Sequence, residues 1–212
     1  MNELTFEIVG VEPDRYAASP TLNFKLRIGA PEDTPVHVLA LRAQIRIEPQ
    51  RRRYDKVEEE RLLAVFGETP NWAQSLRPFL WTHASAIISG FVGETEVDLP
   101  VACTYDFDIT STKYMHALED GEIPLIFLFS GTVFTKKEDE AGVSVTPVPW
   151  HKESSLRLPV KVWREMMDLY FPNGGWLRID RQTIDALERF KTQQGLPTWE
   201  QAIETLLKEA GA

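Results

Sequence analysis

The residues able to do chemistry in this chain are few and scattered. Its four histidines, His37, His83, His116 and His151, form no HxH or HxxxH pair that would set two nitrogens on one metal. The single cysteine, Cys103, lies in the alternating stretch LPVACTYDFD, where a buried thiol acts as a small hydrophobe, and it has no second thiol to form an internal disulfide. No GxSxG elbow, GxGxxG turn or P-loop occurs, and Gly174-Gly175 reads as a helix stop. Asp106 and Asp108, near Glu96 and Asp98, lack the spacing of a calcium loop. Two groupings remain. One is the cationic run Arg51-Arg52-Arg53 with Lys56, able to hold an anion or an acidic segment and flanked by Glu48, Glu58, Glu59 and Glu60 that could neutralise it. The other is the Tyr105 to His116 segment, the place where a small-molecule or metal site would have to be assembled.

Composition narrows the classes further. The 212 residues carry 23 basic and 32 acidic side chains, a formal charge of -9, which argues against general affinity for nucleic acid or an anionic membrane. A hydrophobic share of 43% with 10% aromatics is that of a folded globular protein. The opening MNELTFEIVG has no basic region followed by an apolar run, and no stretch approaches the roughly 20 apolar residues of a membrane helix, so a cytoplasmic setting is expected.

The elements that must position these residues follow from periodicity. Leu4, Phe6 and Ile8, then Leu22, Phe24, Leu26 and Ile28, then Val36 to Ile47 alternate as three consecutive antiparallel strands, with a bulge expected around Leu39 and Ala40. Residues 55–79 break the pattern as a helical insertion, with a first short helix that Gly67 ends and a second short helical piece around Asn71 to Leu76. Trp81 to Phe91 and Thr95 to Asp106 resume it around a Gly93 turn of hairpin length. Ile123 to Lys137 reads as a central strand covered on both faces, followed by Val143 to Trp150. Seven or eight strands with short turns predict a β-sandwich body over residues 1–155.

From Leu156 onward the apolar residues take helical spacing, predicting a tail over 156–212. Val162, Trp163, Met166, Met167 and Tyr170 form one stripe, expected to pack on the sandwich. A short strand over Trp176 to Asp180, a helix with Ile184, Leu187 and Phe190, and a last helix capped by Thr198 and Gln201 complete it. Trp199, Ala202, Ile203, Leu206 and Leu207 make the apolar face of that last helix. This order, WLRIDRQTIDALERFKTQQGLPTWEQAIETLL, resembles a ribbon-helix-helix module, which dimerises through its strand and in many proteins reads DNA with it. Residues 176–212 carry five basic and six acidic side chains, so the DNA role is the lesser expectation beside dimerisation or partner docking.

Three longer phrases, RIEPQRRRYDKVEEERLLAVFGETPNWAQSLRPFLWTH, TEVDLPVACTYDFDITSTKYMHALEDGEIPLIFLFSGTVF and GLPTWEQAIETLL, resemble a family of uncharacterised bacterial proteins, a domain of unknown function. The resemblance implies a setting, because genes of that family often lie near nickel–iron hydrogenase genes. It carries no activity and no site residues. The expectation is therefore a non-enzymatic cytoplasmic accessory protein without cofactor or metal, which binds a protein partner such as a hydrogenase subunit or maturation factor. Arg51, Arg52 and Arg53, with Trp199 and Leu206 of the tail, are the partner-binding candidates, and a homodimer through the tail is the second form of association. The alternatives are a small-molecule or metal enzyme at 105–116 and a DNA-binding regulator acting through the tail.

Overall fold

The computed structural model describes residues 4–104, 106, 109–136, 142–172, 174 and 177–211. Among them the chain is mainly β, with eight antiparallel strands in two sheets. Strands β1 (Thr5–Pro13), β2 (Thr21–Gly29) and β5 (Glu94–Ala102) make the smaller sheet, in the order β1-β2-β5. The larger sheet runs β4 (Phe79–Phe91), β3 (Val36–Ile47), β6 (Glu122–Lys136), β7 (Val143–Pro147). Strand β8 (Glu153–Pro159) pairs with residues 122–128 of β6, while β7 pairs with residues 132–136, so the two share one side of that long strand.

Alternation decides which side chains meet between the sheets. Leu22, Phe24, Leu26 and Ile28 of β2 are fully buried and face Leu39, Ile45, Ile47 and Phe127. Phe24 meets Phe127 edge-on at 5.1 Å between ring centroids, and Phe6 stacks on Phe129 at 4.9 Å. The outward residues of β2 pair by charge: Lys25 reaches Glu12 (2.8 Å) and Asp98 (2.7 Å), and Arg27 lies within 3.3 to 3.6 Å of Glu7, Glu94 and Glu96. Glu96 and Asp98 are thus partners of a basic ladder.

Several expectations are corrected. The first three strands do not share a sheet, since β3 crosses to the larger one. The Gly93 turn, though of hairpin length, joins strands of different sheets: β4 pairs with β3 and β5 with β2. The phase shift in β3 arises at His37, where its register against β6 slips between Val36 and Val38, slightly before Leu39. Leu156 and Leu158 belong to β8, and helical spacing begins only after Pro159, whose ring is compatible with the entry to helix α4 (Val160–Tyr170). Among the described residues, 177–180 form no strand, and Trp176, the start of the expected ribbon, lies outside the described residues.

Two compact units result, Met1–Gly175 and Trp176–Ala212. The expected division at 155 would have placed α4 in the tail. Instead Val160, Trp163, Met166 and Met167 of α4 are buried in the sandwich core, and the Tyr170 hydroxyl lies 2.7 Å from the Asp14 carbonyl and 2.9 Å from that of Ala17. The stripe packs on the sandwich as expected. The insertion contains α1 (Lys56–Phe66), capped by Asp55 and stopped at Gly67, and the single turn α2 (Trp72–Ser75). Helix α3 (Thr110–Ala117) follows the expected strand end at Asp106, in a stretch to which the sequence reading assigned no element. The second unit holds α5 (Arg181–Gln193) and α6 (Trp199–Ala210), and the Thr198 side chain accepts from the Gln201 N–H as its sequence predicted.

Gly131 permits the close approach of β6 to its antiparallel neighbour β3, opposite Leu41. Its φ is +154°, and a Cβ there would lie 2.2 Å from the Ala40 carbonyl oxygen. Gly131→Ala should therefore cost at least about 3 kcal/mol in urea unfolding. Gly10→Ala, whose new methyl would meet only the Lys25 stem at 3.7 Å, should stay within about 1 kcal/mol.

Candidate functional site: an arginine basin

The chain leaves β3 through a 3-10 turn, Pro49–Arg51, and enters α1 at Lys56, which spreads the three arginines over a corner. Their fates differ. Arg52 turns inward, its side chain only 8% exposed, and Nη2 donates to both carboxylate oxygens of Glu58 at 2.7 and 2.8 Å; Glu58 itself is 4% exposed. The same guanidinium reaches the Asp120 carbonyl at 3.3 Å and the Arg53 carbonyl at 3.2 Å, and sits 5.0 Å from the Tyr54 ring centroid. Glu58 Oε1 also accepts the Glu119 N–H at 3.0 Å. A buried pair this fully hydrogen-bonded joins α1 to the segment leading into β6.

Arg51 and Arg53 remain at the surface. The Arg51 guanidinium lies 3.2 Å from the buried Glu48 Oε2, a contact ionic in distance without hydrogen-bond alignment. Arg53 is exposed and its guanidinium makes no ion pair among the described residues. Arg157 of β8, missed by the sequence reading because it lies a hundred residues away, joins them; its nearest carboxylate, Glu122, is 3.9 Å off. Together with Gln50 and Gly121 these residues line an open depression of about 630 Å³, where Arg52 is neutralised by Glu58, Arg51 and Arg157 have Glu48 and Glu122 at 3.2 and 3.9 Å, and Arg53 is left as the net positive charge. On a chain of net charge -9 this concentration of cations is suited to carboxylates or phosphates, which arginine forks grip in pairs.

Beneath the basin the Tyr54 hydroxyl donates to the Pro49 carbonyl at 2.7 Å and accepts from the Tyr114 hydroxyl at 2.9 Å. Tyr114 is fully buried and meets Phe66 and Phe79 edge-on, so α3 is locked under α1. Of the 105–116 segment, Tyr114 is core and Asp106 precedes α3, while Tyr105, Phe107 and Asp108 lie outside the described residues. His116 faces a second depression, where Arg61 pairs with Glu119 at 3.0 Å and Arg164 donates to the Leu118 carbonyl. Burial, then Arg164 and Arg61, hold its imidazole below the ordinary value. Charges there are balanced, Arg61 and Arg164 against Glu119 and Asp168. Among the described residues no three His, Cys, Asp or Glu side chains are placed to hold a metal ion. Burial pushes the Cys103 thiol up to about 12, well away from nucleophile chemistry.

In the second unit Trp199 is exposed with Lys191 Nζ 5.4 Å from its ring centroid, and Leu206 is half-buried. Ile184, Ile203 and Leu207 are also exposed, and Ala202 is the one buried residue among the described residues of this unit. No described helix is long and apolar enough to cross a membrane.

The class defined by these observations is a two-sheet antiparallel β-sandwich with helical insertions. Within that class the chain belongs to a family of unknown function, DUF6084, whose profile matches residues 1–212. No curated protein matches it. Among solved structures it is similar to a β-glucosidase from Kluyveromyces marxianus, at 10% identity over 74% of this chain and 14% of that one, with a TM-score of 0.25. A second is β-glucosidase 3B from Thermotoga neapolitana, at 12% identity over 72% and 17%, again with a TM-score of 0.25. The chain spans under a fifth of the length of these enzymes, and likeness at that score carries no argument.

Burial also raises both phenols of the tyrosine pair, Tyr114 to about 12 and Tyr54 further. The folded state thus keeps protons that unfolded tyrosines release near pH 10, so stability should fall as pH rises from about 10 towards 12. Urea midpoints across that range should show the loss in the wild type and a shallower one in Tyr54→Phe; equal slopes would place the titrating groups elsewhere.

Proposed function

We propose that this is a non-enzymatic cytoplasmic accessory or assembly protein that holds an acidic surface of another protein in the arginine basin. The observation that carries the reading is the open corner where Arg51, Arg53 and Arg157 gather on an otherwise acidic chain. Arg52 serves from below, by fixing the corner's backbone through Glu58. The exposed apolar residues of α5 and α6, Ile184, Trp199, Ile203 and Leu207, supply a second contact surface of the kind that amphipathic helices bring to partners. The genomic setting implied by the family resemblance makes hydrogenase subunits and maturation factors the first partners to test.

The test is charge reversal of the three presented arginines, Arg51→Glu, Arg53→Glu and Arg157→Glu, in the tagged full chain expressed in its native host. Arg53 and Arg157 are exposed, so the double variant Arg53→Glu/Arg157→Glu should melt close to the wild type and serves as the folded control, while Arg51→Glu sets a second anion beside the buried Glu48 carboxylate and lowers the melting point of the triple variant. A partner with an acidic surface should co-purify with the wild type, come off as salt rises, and bind the triple variant at least about tenfold more weakly. Undiminished recovery of every partner by a folded triple variant would overturn the reading.

A further inference from the structure

Among the described residues the sheet edges are guarded in all places but one. At the free edge of the smaller sheet β5 carries Glu94, Glu96, Asp98 and Pro100. Strand β1 bears Glu7 and Glu12, bulges at Val9, and donates its Ile8 N–H to Ser154 Oγ of β8. Strand β7 is five residues long and ends in Pro147, and β8 holds Glu153, Arg157 and Pro159. These are the devices that keep an edge from pairing with another chain. Strand β4, FLWTHASAIISGF, has none of them over most of its length. It is 13 residues long, carries no Lys, Arg, Asp, Glu or Pro, and among the described residues pairs only with β3. Its single irregularity is the extra residue Trp81, near its start. Ile87 stands 82% exposed at its middle.

We infer that β4 is a dimerisation edge, pairing antiparallel with β4 of a second copy to join two five-stranded layers into one continuous sheet. The strand is complementary to itself. A twofold axis at Ile87 sets that residue against its own copy, Ser85 of one copy against Ser89 of the other, and His83 against Phe91. Two chains of net charge -9 repel, and this edge is where they can meet without opposing carboxylates. The charged ladder neighbours on its outward face are Arg42 and Arg46 of β3, in register with Ser85 and Leu80. A ladder over residues 83–91 is about 31 Å long and covers roughly 400–500 Å² per copy, close to the lower bound for a specific interface. The dimer is accordingly weak and concentration-dependent. It uses none of the residues of the arginine basin and does not depend on the function proposed above.

Sedimentation equilibrium of the full chain over about 1–200 µM tests it, with the backbone amides of β4 followed by hydrogen exchange at both extremes. The expected result is a shift from 24.2 kDa towards twice that mass, with protection of the β4 amides rising in step. Ile87→Lys and Ser85→Lys, two independent guards at exposed positions, should each weaken association at least about 100-fold with an unchanged far-ultraviolet spectrum. A wild type that stays monomeric throughout would overturn the inference and leave the edge to another chain's extended segment. A dimer that survives both substitutions would also overturn it and place self-association elsewhere, as in the second unit.

Discussion

The corner of this molecule depends on one ion pair. Arg52 and Glu58 are six residues apart, both nearly removed from solvent, and their hydrogen bonds reach the Glu119 N–H and the Asp120 carbonyl as well as each other. Helices α1 and α3 have 11 and 8 residues, too short to persist alone, so something must hold them to the sandwich. The pair does this from the α1 side, while Tyr54 and Tyr114 do it from below with a chain of hydroxyls ending on the Pro49 carbonyl. Breaking either partner would strand a charge in a site that water barely reaches, which is costlier than the pair's own net contribution.

That constraint explains how three adjacent arginines come to play two roles. With Arg52 committed inward, the backbone at the exit of β3 is fixed, and Arg51 and Arg53 project from it towards Arg157. The basin is therefore assembled from two distant parts of the chain on a rigid corner, the arrangement that the proposed recognition role would need. The second unit is built differently. Its two helices bury little beyond Ala202 and keep Trp199, Ile203 and Leu207 exposed, so its apolar face stays open to solvent.

Alternation made most strands legible, because a strand with one buried face writes its period into the sequence: Leu22, Phe24, Leu26 and Ile28 could be read at sight. Which strands pair was not legible, since β3 and β2 have the same period in different sheets. Strand β8 was hidden because Leu156, Val160 and Trp163 also fit a helical repeat, with Pro159 the only mark of the change. Helix α3, TSTKYMHA, buries Ser111 and Thr112 along with Tyr114 and Met115, so no apolar stripe announces it. At the site, the arginine run was visible as charge. The commitment of Arg52 to Glu58 was not, because the flanking sequence offers four glutamates and only the fold selects one. Arg157 carried no local signal at all.

A double-mutant cycle on Arg52→Ala and Glu58→Ala, read by urea unfolding with Arg53→Ala as reference, tests the division of the arginine run most directly. Each single change at the buried pair should cost about 3–5 kcal/mol, the double should cost well below their sum, and Arg53→Ala should stay within about 0.5 kcal/mol. Equal, small losses at Arg52 and Arg53 would contradict the account, and would return all three arginines to the surface.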